Sequence, residues 1–574
     1  MIVYRDPWRT VETARELAAL RRAAAAADAA GVLVRLGELE QAAVDALHPR
    51  EDGWTAVDEA FRRAARRVAA AFLAAERGVP SPAPLRAALA ALDAHAGRLP
   101  PRLVVRPPEG YAHYALDPRG YVRAAERYRA AVGAARAARA VVIGVRSIGT
   151  SLSAVVAAVV GAGRTATVRP RGETGARRVA ADAALSRRLV DWLRAGGDAL
   201  IVDEGPGATG ETFAAVAAWL RELGVEDRRI VLFPSRDWGM PLAPPERAAW
   251  FGAARKFAPP IGDDRPTHVA ARLGLAAPRS LCGGRWRDVV PGAARLPACT
   301  GHERAKHLAA ARDGSAALLR FAGLGRWGAE AADRARRLAA ADAGPEVLGF
   351  HDGFLALRWA EGAPVTRDVG RDPAFRAALT RYLAVRAKAF VTGREVDAAP
   401  ILEMLRTNAA EALGPATPGL GPALRRLERL PAREAVVADA RVHAWEWVRT
   451  AAGFAKVDAV DHGDGLRLPG PTDRAWDLAG AVVEFDLDEP AAAELVRRCA
   501  GTAPAEAAAL AAAVAAYRPA YAALQLGAAM LAMHEAEDAE DRARWQVEAG
   551  RYRAALADAL LRAEAGARDR RRAA

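Results

Sequence analysis

Four short β-branched runs, each leading into a turn and a longer apolar stretch, set the tightest limit on how this chain folds. ARAVVIGV, RTATVRP, DALIVDE and RRIVLFPS are brief, with apolar centres. Buried parallel strands read this way, because both of their faces are covered. Between them lie LSAVVAAVVGA, AADAALSRRLVDWLRAG and TFAAVAAWLRELG, which have the length of helices; the last is amphipathic. Strands alternating with helices predict βαβ units and a mostly parallel sheet.

At 574 residues the chain exceeds what one hydrophobic core organises, so several domains are expected. Residues 1–99 read as a helical region, Ala-rich with Leu, Val and Phe at three- and four-residue spacing. Pro pairs at 100–101 and 107–108 open the α/β segment, 100–260. Residues 261–298, with Pro and Gly, read as a connector. Strand-like GSAALLRFAGLG and GFLALRWAEGAP then open a mostly helical α+β segment, 299–500, followed by C-terminal helices and an Arg-rich tail, 501–574.

The formal net charge is +13, and nearly all of the positive charge is Arg; Lys stands only at 256, 306, 388 and 456. The basic residues are interleaved with Asp and Glu along the chain, whereas a nucleic-acid face clusters them, so nucleic acid is not the expected ligand. The three cysteines cannot form a disulfide framework. The N-terminus lacks the apolar stretch of a signal peptide, and the run LSAVVAAVVGAG is too short to span a bilayer. A cytoplasmic protein without a membrane partner is expected.

ALIVDEGPGATGETF (199–213) is the most informative stretch. A buried strand ends in two acids, Asp203 and Glu204. A loop with Gly205, Gly207, Ala208, Thr209 and Gly210 follows, and then a helix carrying Thr212. Glycines let a backbone approach an anion closely, and amides at a helix start point at it. Carboxylates suit the vicinal hydroxyls of a ribose.

This stretch resembles the phosphoribosyl-diphosphate (PRPP) motif of type I phosphoribosyltransferases. The resemblance implies a parallel-sheet domain of that family, preceded by helices and followed by the α+β segment. It implies a diphosphate loop at Arg146, Ser147, Ile148 and Gly149, and a basic loop, VRPRGETGARR, that supplies Arg169 and Arg171. In the site it implies, Arg146, Arg169 and Arg171 are catalytic. Ser147, Gly149, Asp203, Glu204, Gly207, Ala208, Thr209, Gly210 and Thr212 bind substrate, and Asp203 and Glu204 bind Mg²⁺. The expected activity is that of a PRPP-dependent glycosyltransferase of the pentosyl class acting on a small-molecule acceptor, in a chain that could pair as a homodimer; the alternative is a PRPP or nucleotide sensor without transferase activity. Aromatic residues just upstream, Tyr111, His113, Tyr114 and Tyr121, could stack on an acceptor or simply pack the domain's entry.

A second resemblance concerns 299–500. The LLRF strand, a helix, EVLGFHDGFLALRWAEGAP, and then KVDAVDHGDG and TDRAWDLAGAVVEF are similar to aminoglycoside phosphotransferase-like small-molecule kinases. That likeness implies Mg²⁺ ligation by Asp458 or Asp461 and a structural Asp477. Arg320 stands where those kinases carry a strand Lys. His443-Ala444-Trp445 stands where a His-x-Asp loop is expected, and the chain's Asn408 lies far from it.

Overall fold

A computed structural model describes the chain apart from residues 6–7, 208, 238–243, 261, 301–302, 461, 464–466 and 574 and the side chains of 570–573. Two compact units are formed. One is Trp8–Asp264 with Gly323–Ala329; the other is Met1–Pro7, Arg265–Ala322 and Glu330–Ala574. The architecture is mixed α/β and mostly helical, with a parallel sheet.

In the first unit the four expected strands pair in parallel, in the order Arg164–Val168, Val141–Val145, Ala199–Val202, Ile230–Phe233, with a short fifth strand, Arg255–Lys256, at the edge. The strand Val141–Val145 is buried throughout, which is why it reads as an unbroken apolar run. The following helix, Gly149–Val160, is buried on nearly every side, packed by the helices Ala29–Leu47, Ala56–Glu76 and Pro118–Val132. A helix that is apolar all round belongs in a core.

The strand-to-helix turn is drawn so tightly that two glycines are obligatory. A Cβ on Gly144 would lie 2.4 Å from the Gly149 carbonyl oxygen, and one on Gly149 would lie 2.5 Å from that of Val202. Gly149→Ala is therefore expected to lower the stability of this unit by about 1–3 kcal/mol, read in urea unfolding of the intact chain.

The second unit begins with an antiparallel sheet, in the order Val347–His351, Phe354–Arg358, Ala316–Phe321, Lys306–Ala310, Arg279–Ser280. A hairpin, Trp447–Thr450 with Gly453–Lys456, follows among helices. Its buried Trp447 meets Phe375 edge-on at 5.2 Å, and Phe375 meets Phe485 at 4.7 Å, so an aromatic cluster fixes the hairpin on the helical core.

The helix Pro504–Glu535 is long and apolar enough to cross a membrane by length and composition, yet 61% of its most apolar window is buried inside the fold. Tyr517 and Tyr521 from this helix pack on Trp476. It lies in the 501–574 region expected to be helical, and it continues through Pro519.

Candidate functional site

Two clusters of chemistry-bearing residues emerge, one in each unit. In the first, Asp203 and Glu204 leave the carboxyl end of the strand Ala199–Val202. They lie beside Val141–Val145, from which the chain steps to Arg164–Val168 on the other side. Open α/β sheets place ligands at such switch points.

Asp203 is nearly buried. Its Oδ1 accepts the Glu204 amide at 2.8 Å, and its Oδ2 accepts the Thr212 hydroxyl at 3.1 Å. Glu204 Oε2 accepts the Gly110 amide at 3.1 Å. Burial pushes the Asp203 carboxyl up to about 6. Burial, with the neighbouring charges of Asp203 and Glu109, pushes Glu204 up to about 8. Tyr111 and Tyr121 are packed here, with hydroxyls on Ser151 Oγ at 3.0 Å and the Asp203 carbonyl at 2.7 Å, while Tyr114 is exposed.

The loop has the left-handed glycines expected of it, Gly207 and Gly210. Two amides at its end are engaged within the loop. The Gly210 amide donates to the Pro206 carbonyl at 2.9 Å, and the Glu211 amide points at Thr209 Oγ1 at 3.4 Å. The helix Glu211–Glu222 carries its own carboxylate, Glu211, in its first turn, and this accepts the Arg177 amide at 2.8 Å. A carboxylate at a helix start takes the positive end of the dipole, where an anionic ligand would otherwise sit. Ala208 lies outside the described residues. Ser147 is half-buried, and Gly149 serves the tight turn.

The three arginines read as catalytic are engaged in ion pairs. Arg146 is fully buried, with Nε on Asp45 at 2.8 Å, Nη1 on the Thr167 carbonyl at 3.2 Å and Nη2 on Asp52. Arg169 pairs with Asp45 as well, and Arg171 reaches Asp52 at 2.9 Å and the His48 carbonyl at 2.7 Å. Two acids from the helical N-terminal region thus meet three arginines from the sheet's loops.

The second cluster surrounds the hairpin's end. Lys456 is buried, and its Nζ lies 2.7 Å from Glu446 Oε2, 3.2 Å from Asp439 Oδ2 and in contact with the Asp458 carbonyl. All three ammonium donors therefore face oxygen. Asp439 also accepts the Tyr382 hydroxyl at 2.6 Å and lies 3.1 Å from His462 Nδ1. Asp458 lies 2.7 Å from Arg320, 3.3 Å from His462 and 3.8 Å from Arg441.

Burial raises the Asp439 carboxyl, but the Lys456 ammonium and the His462 hydrogen bond outweigh it and hold it well below the usual range. Asp458 is likewise held low against burial, chiefly by Arg320 and His462. Glu446 goes the other way, raised by burial more than Lys456 lowers it. Behind the cluster, Asp477 accepts the amides of Asp439 and Ala440 at 2.8 and 2.9 Å, fixing a turn in which Ala440 has a φ of 68°. It is a structural residue.

Among the described residues, Asp439, Glu446 and His462 form the group of acids and histidines whose ligand atoms lie within 4.8 Å of one another. Of the metal ligands expected from the sequence, Asp458 stands at this cluster and Asp461 lies outside the described residues. Asp439, Glu446 and Lys456 were not anticipated, and His443, expected to open the loop, is instead buried against Gln525 at 3.1 Å.

No family model matches the sequence, and neither does any curated protein. Solved structures similar to this chain include a choline/ethanolamine kinase family protein from Mesorhizobium loti, with 18% identity and a TM-score of 0.31 over 45% of this chain and 89% of that one. A macrolide 2'-phosphotransferase from Brachybacterium faecium has 18% identity and a TM-score of 0.30, over 50% of this chain and 98% of that one. The choline kinase LicA from Streptococcus pneumoniae has 11% identity and a TM-score of 0.31, over 50% and 97%.

These neighbours are kinases. They correct the expected PRPP-dependent phosphoribosyltransferase and its pentosyl-transferring glycosyltransferase class to a kinase-like reading. The mixed α/β, mostly helical architecture with a parallel sheet stands. The local chemistry agrees with the correction, since the expected anion grip has its Gly210 amide used internally and its three arginines each paired with Asp45 or Asp52. Identities of 11–18% and TM-scores near 0.3 leave what those kinases act on with those kinases.

Proposed function

We propose that the second unit is a kinase-like phosphotransferase domain, with Arg320, Arg441 and Asp458 facing the phosphates of a nucleotide. The observation that carries this reading is the Arg320–Asp458 pair. A cation from the five-stranded sheet meets, at 2.7 Å, an acid that follows the hairpin among the helices, and the acid's side chain is 31% exposed. Phosphoryl transfer needs such a meeting of strand cation and metal-binding acid, because its catalysis is positioning plus charge stabilisation.

The donor set can be tested against Mg²⁺. Carboxylate oxygen is its preferred ligand, and Asp458 is the partly exposed acid of the cluster, its Oδ1 beside Arg320 and its Oδ2 beside His462 and Arg441. Asp458 would hold the ion, which when bound supplies positive charge to phosphate oxygens. Arg320, with its forked donors, orients a phosphate beside it.

If this reading holds, a nucleotide triphosphate with Mg²⁺ raises the melting temperature of the intact chain by several degrees. Asp458→Asn and Arg320→Ala remove the shift. No shift with ATP, GTP or their diphosphates, together with no phosphoryl transfer to choline, aminoglycosides or macrolides, would overturn it.

The first unit supports a second site. Asp203 and Glu204 are kept buried at a cost to stability, and acids so placed at a sheet's carboxyl end are candidates for a binding site. Asp203, Glu204 and Thr212 suit a small hydroxyl-bearing molecule that accepts from the protonated acids and donates to the ionised ones.

A further inference from the structure

We propose that Lys456 is a built-in cation that takes the place of a divalent metal ion between Asp439 and Glu446, so that this part of the phosphotransferase-like site holds no metal. Carboxylate ligands converging within ion-binding distance leave two ways to neutralise them: a metal ion or a protein cation. Here Asp439, Glu446 and His462 converge within 4.8 Å. The space between the two acids is filled by the Lys456 ammonium, at 3.2 Å from Asp439 and 2.7 Å from Glu446.

The ammonium is committed there. Lys456 is 1% exposed, at the end of a paired strand, with its remaining donor on the Asp458 backbone carbonyl. It has no water-facing alternative, and withdrawing it would strand an ammonium in the core. Asp439 is fixed from the other side by the Tyr382 hydroxyl and by His462, and its backbone by Asp477, so the acid cannot swing out to meet an ion elsewhere. A divalent ion could enter only by displacing Lys456, which the fold does not permit. Asp458, its side chain 31% exposed beside Arg320, is left as the acid of the set that an ion can reach from solvent.

This inference rests on the phosphotransferase reading only for the expectation that a metal belongs in the cluster. Its test uses Mn²⁺ alone on the full chain, with free Mn²⁺ read by electron paramagnetic resonance, and needs no substrate. Wild type is expected to bind at most one ion, and Asp458→Asn to bind none. Lys456→Ala, which empties the space between Asp439 and Glu446, is expected to bind one more equivalent than wild type and to melt several degrees higher with Mn²⁺ than without.

Two ions bound by wild type, or a second ion lost on Glu446→Gln in the wild-type background, would overturn the inference, and these readouts hold even if Lys456→Ala fails to fold. A folded Lys456→Ala that gains no ion would overturn it as well. Zero ions on wild type with one gained on Lys456→Ala would uphold the built-in cation and count against Asp458 as a metal ligand, which separates the two readings.

Discussion

Replacing Lys456 with Met is expected to destabilise the second unit by about 3–5 kcal/mol, the scale for removing one partner from a buried ion pair. The loss comes from what is left behind. Asp439 is completely buried and Glu446 nearly so, and both were paired with the same ammonium. His462 and Tyr382 still support Asp439. Among the described residues, Glu446 keeps Arg441 at 3.6 Å, the more distant His462, and His443 at 3.7 Å, the last held neutral by burial, which pushes it down to about 3.

Glu446 is therefore the acid that takes up a proton in the variant, and protonation relieves part of the cost. The deficit between variant and wild type should shrink as pH falls from 8 to 5. Chemical denaturation of the intact chain at the two pH values measures this. A triple variant, Lys456→Met with Asp439→Asn and Glu446→Gln, removes the stranded charges and is expected to recover most of the loss. Equal deficits at both pH values, or no recovery in the triple variant, would show that the lysine's aliphatic packing matters and its charge does not.

The parallel sheet was legible because buried strands such as Val141–Val145 and Ala199–Val202 must be apolar on both faces, and only a few residue types satisfy that. The arginines were misread for the opposite reason. A guanidinium in a Gly-containing loop looks the same whether it awaits a phosphate or is already paired. Its partners, Asp45 and Asp52, come from about a hundred residues upstream in a stretch that carries no motif.

The second cluster hid because its spacing departs from the expected His-x-Asp loop: Ala438 precedes Asp439, and the residue that shares its cation, Glu446, comes seven positions later. One signal could have pointed to it. A chain that uses Arg almost everywhere places one of its four lysines at 456. A compact ammonium with three radial donors fits between two carboxylates and a carbonyl where a planar fork does not.

Glu204→Gln is expected to stabilise the first unit at pH 8.5 and to change little at pH 4.5. The sign follows from the direction of the shift. Burial holds the Glu204 carboxyl at about 8 in the folded chain against an ordinary 4.5, so the native state binds the proton more tightly than the unfolded one. Stability then falls as pH rises, beginning near the ordinary value and ending once the pH exceeds the folded one. Asp203, held at about 6 against 3.8, adds a smaller fall over a lower range.

The full shift of Glu204 corresponds to an upper limit of about 5 kcal/mol, and partial exposure and relaxation reduce this to about 2–4 kcal/mol at pH 8.5. Gln keeps an oxygen for the Gly110 amide while removing the charge, so the gain reports the electrostatic penalty alone. Asp203→Asn should gain less, because Asp203 Oδ1 and Oδ2 already accept the Glu204 amide and the Thr212 hydroxyl. Urea unfolding across pH 4.5 to 8.5 decides the matter. A variant curve parallel to wild type would mean that Glu204 titrates normally, and the case for a ligand site built on this acid pair would lose its physical basis. A curve that diverges upward from wild type with pH would mean that the fold holds the Glu204 carboxyl in place against its own charge, where a ligand's hydroxyl can meet it.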